Sequence, residues 1–242
     1  MRLSRFYINK PLAVGQEIIL PKELSHYLVT VLRLRLGITV TLFNGQGGEY
    51  QARLVAVTKK IAQLQIEEYH AIERESSLSL TLVQAISRPE HMDYTIQKAV
   101  ELGVHQIVPV ITERTPPLNP EMLNKRQAHW HQIMLSAGEQ CGRNRLVQFT
   151  AVMPLTTWLT QTQPGSCLVL SPQAHNTLFE VIQSVNAITV LVGAEGGLSE
   201  MEIQQAIQAG YQAIQLGPRI LRTETAATAI LALCQAWQGD LR

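Results

Sequence analysis

The pattern of apolar residues changes at the polar stretch 73–77, and this change constrains the fold more than any other feature of the chain. Before it, short alternating and β-branched segments separated by tight turns predict a small β-barrel or curled sheet. After it, apolar strand-like runs alternate with helical segments, which predicts a mostly parallel sheet covered by helices on both sides. We therefore expect an α/β protein with two domains, residues 1–72 and 73–242.

Five short strands and one helix are predicted in the first domain. The Asn44-Gly45 pair, a strong hairpin signal, lies between the third and fourth strands. The helix is predicted over 21–33, because apolar residues recur on one face there. The strands are expected at 5–8, 18–20, 39–43, 50–57 and 61–68.

Five strands and five helices are predicted in the second domain. A Ser-x-x-Glu capping box at Ser199 opens one helix, and Gly103 and Gly210 end two others. The strands are expected at 78–85, 106–110, 166–170, 187–192 and 211–216. The helices are expected at 92–102, within 121–140, at 177–184, from Ser199 to Gly210 and at 224–237.

Charge is distributed unevenly between the two domains. Residues 1–72 carry a net charge of +4 and the remainder carries −3, although the whole chain has only +1. A basic domain suits a polyanion, because phosphate contacts dominate the affinity of proteins for nucleic acids. The alternative is a solvated surface with a mild excess of Lys and Arg.

Several classes of protein are excluded by what the sequence lacks. No apolar run approaches the ~18 residues of a membrane span, and no apolar segment of the signal-peptide kind follows the basic start. The cysteines Cys141, Cys167 and Cys234 form no C-x-x-C pair, and the histidines show no H-E-x-x-H spacing. We expect a reduced, cytoplasmic protein without a metal site or a membrane partner.

A glycine-rich loop at 193–197 follows a predicted buried strand and precedes the capped helix. Ligands of parallel α/β sheets bind outside the carboxyl ends of the strands, and glycine lets backbone amides approach a ligand closely. The loop is neither G-x-G-x-x-G nor a Walker loop, so neither a dinucleotide nor a triphosphate is indicated. A tight strand-to-helix turn with no ligand remains the alternative.

Two further segments concentrate charge. The loop at 217–225 carries Arg219, Arg222 and Glu224 at the edge of a predicted core, either as mutual ion pairs or as a binding site. The polar and basic segment 139–145 ends the long helix, where it could cap the helix or bind phosphate or a base.

Taken together, four motifs in this order resemble the bacterial small-subunit ribosomal RNA uridine N3-methyltransferases of the SPOUT class. They are Arg88-Pro89-Glu90-His91-Met92-Asp93 running into 96–103, the segment 139–145, the loop 193–199, and the segment 216–226. The likeness extends over nearly the whole chain, including 5–7 and 31–33. It implies a PUA-like RNA-binding barrel, followed by a SPOUT domain with a trefoil knot.

The resemblance also implies S-adenosylmethionine as the cofactor, a homodimer, and small-subunit (16S) ribosomal RNA, preferably in the assembled 30S subunit, as the substrate. The implied cofactor-binding residues are Leu170, Pro172, Gly193, Glu195, Gly196, Gly197, Leu216, Gly217, Ile220, Leu221 and Thr223. The implied RNA-binding residues are Arg2, Arg5, Arg33, Arg35, Arg143 and Arg145.

Catalytic roles are expected for Arg222 and Glu224. Uracil N3 carries a proton at neutral pH, so the reaction needs a base, or a cation that stabilises the uridine anion. We assign the cation to Arg222, whose planar guanidinium can donate two hydrogen bonds. Glu224 is either the base or a structural ion-pair partner of Arg222 or Arg219.

The chain departs from the family pattern at two positions, and two other functions stay open. Ala194 stands where the family usually has proline, and His91 stands where it often has lysine. If His91 touches phosphate, RNA affinity should weaken as the pH rises through neutrality. The other functions are methylation of a different RNA position by a SPOUT enzyme and a non-catalytic RNA-binding assembly factor.

Overall fold

The computed structural model describes residues 4–182 and 185–241, which form two compact units. The first unit contains the described residues up to Glu75 together with Gly138–Leu146; the second contains Ser76–Ala137 and the described residues from Val147 onward. The sequence carries no signal that assigns Gly138–Leu146 to the first unit, since this segment continues a helical pattern. The functional division into 1–72 and 73–242 stays a prediction.

Five strands form the sheet of the first unit: β1 (Arg5–Tyr7), β2 (Glu17–Ile19), β3 (Thr39–Phe43), β4 (Glu49–Thr58) and β5 (Ile61–His70). Their order in the sheet is β1-β3-β4-β5-β2, and all neighbours are antiparallel except β1 and β3. The hairpin predicted at Asn44-Gly45 joins β3 to β4, and Gly45 has φ +82°. The sheet buries an apolar core that includes Leu28, Val40 and Leu64.

The single helix predicted over 21–33 is wrong in its second half. An α-helix, α1, covers Lys22–His26, and a π-helical turn follows at Tyr27–Val31. The amide of Leu32 donates to the carbonyl of Tyr27 at 2.9 Å, a wider hydrogen-bonded ring than in an α-helix. Val29, Thr30 and Val31 are β-branched and therefore poor α-helix formers, which is consistent with this loosening. Periodicity alone does not distinguish such a turn from a regular helix.

A seven-stranded parallel sheet organises the second unit, so the predicted α/β fold is confirmed. Every strand pair in this sheet is parallel, and its order is β12-β10-β11-β6-β7-β8, with β9 also paired to β7. The strands are β6 (Ser79–Ala85), β7 (Gln106–Ile111), β8 (Gln148–Phe149), β9 (Met153–Pro154), β10 (Ser166–Leu170), β11 (Ala187–Val192) and β12 (Gln212–Ile214).

Among the described residues, six helices begin in the second unit. They are α2 (Pro89–Glu101), α3 (Pro120–Cys141), α4 (Leu155–Leu159), α5 (Leu178–Val181), α6 (Glu200–Gln208) and α7 (Thr223–Gln238). The end of the helix predicted at 177–184 lies outside the described residues. The sequence analysis missed β8, β9 and α4, because segments of two to five residues are too short to show a period. The trefoil knot stays a prediction.

Candidate active site

Three loops leave neighbouring strand ends on one edge of the parallel sheet. The sheet order β12-β10-β11 places the loops after residues 214, 170 and 192 side by side, because parallel strands end at the same edge. Backbone hydrogen bonds tie the first two loops together: the amide of Ser171 donates to Ile214 O, and the amide of Gln215 donates to Asn176 O, both at 2.9 Å. The three loops that carry the predicted cofactor-binding residues therefore lie next to one another.

These loops line a concave pocket that opens to solvent. Small-molecule sites are typically concave and mainly apolar, with a few polar groups. This pocket fits that description, since apolar side chains dominate its walls. Eight of the predicted cofactor-binding residues line it: Leu170, Pro172, Gly193, Gly197, Leu216, Gly217, Leu221 and Thr223. The other lining residues are Ser171, Val192, Ala194, Ile214, Gln215, Arg219 and Ala226.

Three predicted cofactor residues are not among the lining residues. The carboxylate of Glu195 turns away to accept a hydrogen bond from the amide of Arg88 at 2.8 Å. The carbonyl of Gly196 accepts a hydrogen bond from the guanidinium of Arg114. Ile220 is 86% exposed. Cofactor contacts of these three residues stay predictions.

Tight packing of backbone on backbone shapes the glycine-rich loop. The amide of Gly197 donates to Ala194 O at 2.9 Å, and Gly197 has φ +70°. A Cβ atom on Gly193 would lie 2.7 Å from the carbonyl carbon of Gly197 and 2.8 Å from the nitrogen of Leu198. The loop is therefore both the tight turn and the pocket wall that the sequence analysis treated as alternatives.

A second cleft contains both predicted catalytic residues. Arg222 and Glu224 line it together with His91 and Tyr94 of α2, and Arg222 is exposed. The Glu224 side chain is only 14% exposed, and its Oε2 atom is buried with no hydrogen-bond partner in the described part of the chain. Among residues 4–182 and 185–241, neither Arg222 nor Arg219 forms an ion pair with Glu224, so the predicted structural pairing is absent there.

His91 connects this cleft to the glycine-rich loop. Its Nδ1 atom lies 2.8 Å from Glu195 Oε1 and 3.9 Å from Glu224 Oε2. Burial raises the pKa of Glu195, but hydrogen bonds from Arg88, from its own backbone and from His91 outweigh burial and leave the pKa below its ordinary value. Glu195 is thus held as an anion that orients His91.

The sequence model of an RNA methyltransferase domain matches residues 74–235, and that of an RNA methyltransferase PUA domain matches residues 20–67. A protein of Buchnera aphidicola named ribosomal RNA small subunit methyltransferase E is 35% identical over 242 residues, which cover 99% of this chain and 98% of that protein. The chain belongs to the ribosomal RNA small subunit methyltransferase E family.

Two solved methyltransferase structures resemble this chain over its full length. The Neisseria gonorrhoeae methyltransferase E, crystallised with S-adenosyl methionine, is 39% identical, covers 100% of both chains and superposes with a TM-score of 0.93. A methyltransferase of Legionella pneumophila in complex with the bound cofactor SAM is 36% identical, with a TM-score of 0.94 and 100% coverage of both chains. The predicted family and the predicted PUA-like first domain are confirmed.

Of the six arginines for which the resemblance to the methyltransferase family implied RNA contacts, the structure describes five, which fall into three groups. Arg33 and Arg35 are exposed in the first unit. Arg145 is about half exposed and pairs with Glu73 at 3.0 Å. Arg5 and Arg143 are largely buried and bonded to carboxylates, and Arg2 lies outside the described residues. Of the described five, only Arg33 and Arg35 are exposed without an ion pair among the described residues, and RNA binding stays a prediction for all six.

Glu49 stabilises the first unit through ion pairs whose contribution to stability depends on pH. It accepts hydrogen bonds from Arg5 and, at 3.0 Å, from Arg74. Burial raises the pKa of Glu49, but the bonds from Arg74 and Arg5 outweigh burial and lower it overall. A carboxyl with a lowered folded-state pKa stabilises the fold above its unfolded-state pKa of about 4.3, and this contribution is lost as the pH falls through the folded-state pKa.

We therefore expect Glu49→Gln to lower the free energy of unfolding by about 1–3 kcal/mol at neutral pH. The difference from wild type should shrink as the pH falls below about 4.3, because the unfolded carboxyl then binds a proton, and it should vanish once the pH is below the lowered folded-state pKa. Urea unfolding at a series of pH values measures it. Glu121→Gln is the control, since Glu121 is 80% exposed in its pair with Lys125. A constant difference at every pH would contradict this role of Glu49.

Arg33 has a strained backbone and is also one of the residues predicted to bind RNA. Its φ of 53° lies in the left-handed region, where a residue with a Cβ atom loses about 1–2 kcal/mol. We expect Arg33→Gly to raise the free energy of unfolding by roughly 0.5–1 kcal/mol, because glycine relieves this strain. The same change should weaken RNA binding and lower the salt slope by about 1.

Arg35→Gly is the matched control for Arg33→Gly, because Arg35 is exposed nearby but has no positive φ. It should weaken RNA binding without stabilising the fold. Urea unfolding and RNA titrations at several salt concentrations measure the two effects. An unchanged salt slope in both variants would remove these arginines from the RNA-binding surface.

The sequence analysis missed the supporting residues of the site. Arg114 and Arg88 bond to the glycine-rich loop, and the buried Gln84 bonds to Gly193 and Thr223. No motif signals these contacts, since each joins segments that are distant in the chain. Among residues 4–182 and 185–241, no cluster of His, Cys, Asp or Glu suits a metal ion, and no helix is both long and apolar enough to cross a membrane.

Proposed function

We propose that this protein transfers the methyl group of S-adenosylmethionine to N3 of one uridine in the decoding region of small-subunit (16S) ribosomal RNA. The observation that carries the proposal is the convergence of three loops on one pocket, which eight residues implied by the family resemblance line. Membership of the methyltransferase E family and the S-adenosylmethionine bound in two structures of full-length relatives support it.

The pocket residues fit S-adenosylmethionine in their chemistry. Leu170, Leu216 and Leu221 provide apolar walls for an adenine ring, and the glycines at 193, 197 and 217 leave backbone groups accessible. When bound, S-adenosylmethionine supplies a methyl group attached to a positively charged sulfur. The loops contribute by holding this group in one orientation, because positioning provides much of the rate of a transfer between two bound reactants.

The second cleft provides groups for the uridine. Uracil N3 must lose its proton before it can attack a methyl group. Arg222 is exposed at the cleft and donates to the uracil anion, and a planar guanidinium stabilises such delocalised charge. Glu224 has an oxygen with no hydrogen-bond partner among the described residues, and this oxygen can accept the proton. His91 Nδ1 lies 3.9 Å from it.

In this proposal the first unit binds RNA, since its residues 20–67 match the sequence model of an RNA methyltransferase PUA domain. The assembled 30S subunit is the proposed substrate particle, and the cytoplasm is the proposed place of action. A homodimer is also proposed, as the resemblance implies. Sedimentation equilibrium of the full chain tests the dimer, and the mass of a single chain would contradict it.

Mass spectrometry of digested small-subunit RNA tests the reaction. Unmodified 30S subunits are incubated with the protein and S-adenosylmethionine, and N3-methyluridine is expected in one fragment of the decoding region. A methyl group on another nucleoside would indicate a related enzyme with a different target. No methyl transfer, together with no heat on titration with S-adenosylmethionine, would indicate a non-catalytic assembly factor.

A further inference from the structure

Gln84 is a polar side chain at the centre of the apolar sheet. It lies near the end of β6 and is fully buried. Its strand neighbours are Val192 of β11 on one side and Pro109 of β7 on the other. A polar side chain in this position needs hydrogen-bond partners, because an unpaired polar group in the core opposes folding.

The amide nitrogen of Gln84 bonds to both sides of the cofactor pocket. It donates to Thr223 Oγ1 at 3.1 Å and lies 3.4 Å from the carbonyl oxygen of Gly193, and it also donates to Ala85 O at 3.0 Å. The hydroxyl of Thr223 in turn donates to Gly193 O at 2.6 Å. The opposite amide orientation would place the Gln84 oxygen against two carbonyl oxygens, so the contacts define the orientation.

The amide oxygen of Gln84 is buried and has no hydrogen-bond partner among the residues that the structure describes. An apolar side chain of similar size would avoid the cost of burying this oxygen. Stability alone therefore does not account for a glutamine here. The benefit must lie in what the amide nitrogen holds in place.

The two groups that the Gln84 amide holds, Gly193 O and Thr223 Oγ1, lie at the start of two segments that line the cofactor pocket. Gly193 starts the glycine-rich loop, and Thr223 is the first residue of α7, directly after Arg222. The hydroxyl of Thr223 can rotate, but the hydrogen bond from Gln84 occupies one of its lone pairs and leaves its hydrogen pointing to Gly193. The amide thus fixes the separation of the glycine-rich loop and the start of α7.

We propose that Gln84 is a positioning residue that locks Thr223 to Gly193 and so presets the cofactor pocket. This inference rests on the proposed function, because it takes S-adenosylmethionine as the ligand of the pocket. It predicts that Gln84 and Thr223 act as one unit in cofactor binding.

A double-mutant cycle in the full chain tests the proposal. Gln84→Met and Thr223→Val each remove one partner at similar size, and the dissociation constant for S-adenosylmethionine is measured by titration calorimetry. Each single variant is expected to raise this constant roughly tenfold, the effect of losing one buried hydrogen bond. The double variant is expected to raise the dissociation constant by about the same factor, because either single substitution already disrupts the hydrogen-bonded group of Gln84, Thr223 and Gly193. Thr223→Ser, which keeps the hydroxyl, should restore most of the affinity.

Urea unfolding separates positioning from a general loss of structure. Gln84→Met should unfold at a urea concentration equal to or above that of wild type, since it removes an unpartnered buried oxygen. Thr81→Val is the matched control, because Thr81 is another buried polar residue of β6 and bonds to Gln106. It should leave cofactor affinity unchanged.

The outcomes distinguish this inference from the proposed function. If wild type binds S-adenosylmethionine but Gln84→Met binds equally well, or if the two effects simply multiply in the double variant, the positioning role is overturned. If Gln84→Met does not fold, Gln84→Leu takes its place, since it also removes the donor to Gly193 O and buries no polar group. If wild type does not bind S-adenosylmethionine, the proposed function fails and this inference fails with it.

Discussion

Gly193→Ala is expected to raise the dissociation constant for S-adenosylmethionine by roughly 100-fold, near the top of the about 1–3 kcal/mol cost of overpacking. The new Cβ atom would lie 2.7–2.9 Å from three backbone atoms of Gly197 and Leu198. Backbone cannot rotate away as a side chain can, so the glycine-rich loop must shift. Because both Gly193 and Gly197 line the pocket, the shift changes its shape. Titration calorimetry of the full chain measures the effect.

Gly196→Ala is the matched control within the same loop. A Cβ atom there would meet only the side chain of Arg114, at 3.1 Å from its Cδ atom, and this flexible side chain can move aside. We expect cofactor affinity within about threefold of wild type, a difference below about 1 kcal/mol. RNA affinity of Gly193→Ala should stay measurable if the first unit binds RNA on its own surface. Equal cofactor affinity in both glycine variants would contradict a role of the loop in the pocket.

The contrast between Gly193 and Gly196 shows which property of the loop the glycine spacing predicts and which depends on its packing. Three glycines in five positions after a buried strand predict a close approach of backbone, and the structure has one. Which glycine cannot bear a side chain depends on how the loop folds back on itself. That packing is a tertiary property, so the spacing of the glycines cannot reveal it.

The meeting of the three loops was predictable for a general reason. Alternating strands and helices imply parallel strands, and the carboxyl ends of parallel strands share one edge of the sheet. The order β12-β10-β11, which makes these loops immediate neighbours, is not encoded locally. For the same reason no local pattern indicates that Gln84 of β6 bonds to Gly193 and Thr223, which lie 109 and 139 residues further along the chain.

The net charge of the first segment predicted its RNA-binding residues less reliably than the pattern of apolar residues predicted the fold. The net charge of +4 on residues 1–72 pointed to nucleic acid, yet Arg5 of this segment is largely buried against Glu49. Arg143, expected on the RNA surface, is likewise paired with Glu75. A count of charges treats every arginine alike, whereas pairing depends on which carboxylates the fold brings close. Exposure, which the sequence does not show, singles out Arg33 and Arg35.

Arg222→Ala is expected to lower the rate of methyl transfer at saturating substrates by about 10²–10³-fold, the usual effect of removing one donor that stabilises developing charge. Arg222 is exposed at the cleft that contains Glu224, and no ion pair with another described residue occupies it. Its guanidinium can therefore serve the uracil anion. Cofactor affinity should change little, because Arg222 does not line the cofactor pocket. Arg222→Lys should recover only part of the rate, since an ammonium cannot donate in the same bidentate geometry.

The pH dependence of the rate distinguishes an Arg222 that stabilises the uracil anion from an Arg222 with only a structural role. A positive charge beside uracil lowers the pKa of its N3 proton, so losing the charge raises that pKa. The activity of Arg222→Ala should then continue to rise with pH after the wild-type activity has levelled off. Arg126→Ala on α3, which changes an arginine outside both clefts, should behave as wild type. If Arg222→Ala keeps the wild-type rate, or loses activity equally at every pH, then Arg222 does not stabilise the anion and Glu224 must take the proton without its help.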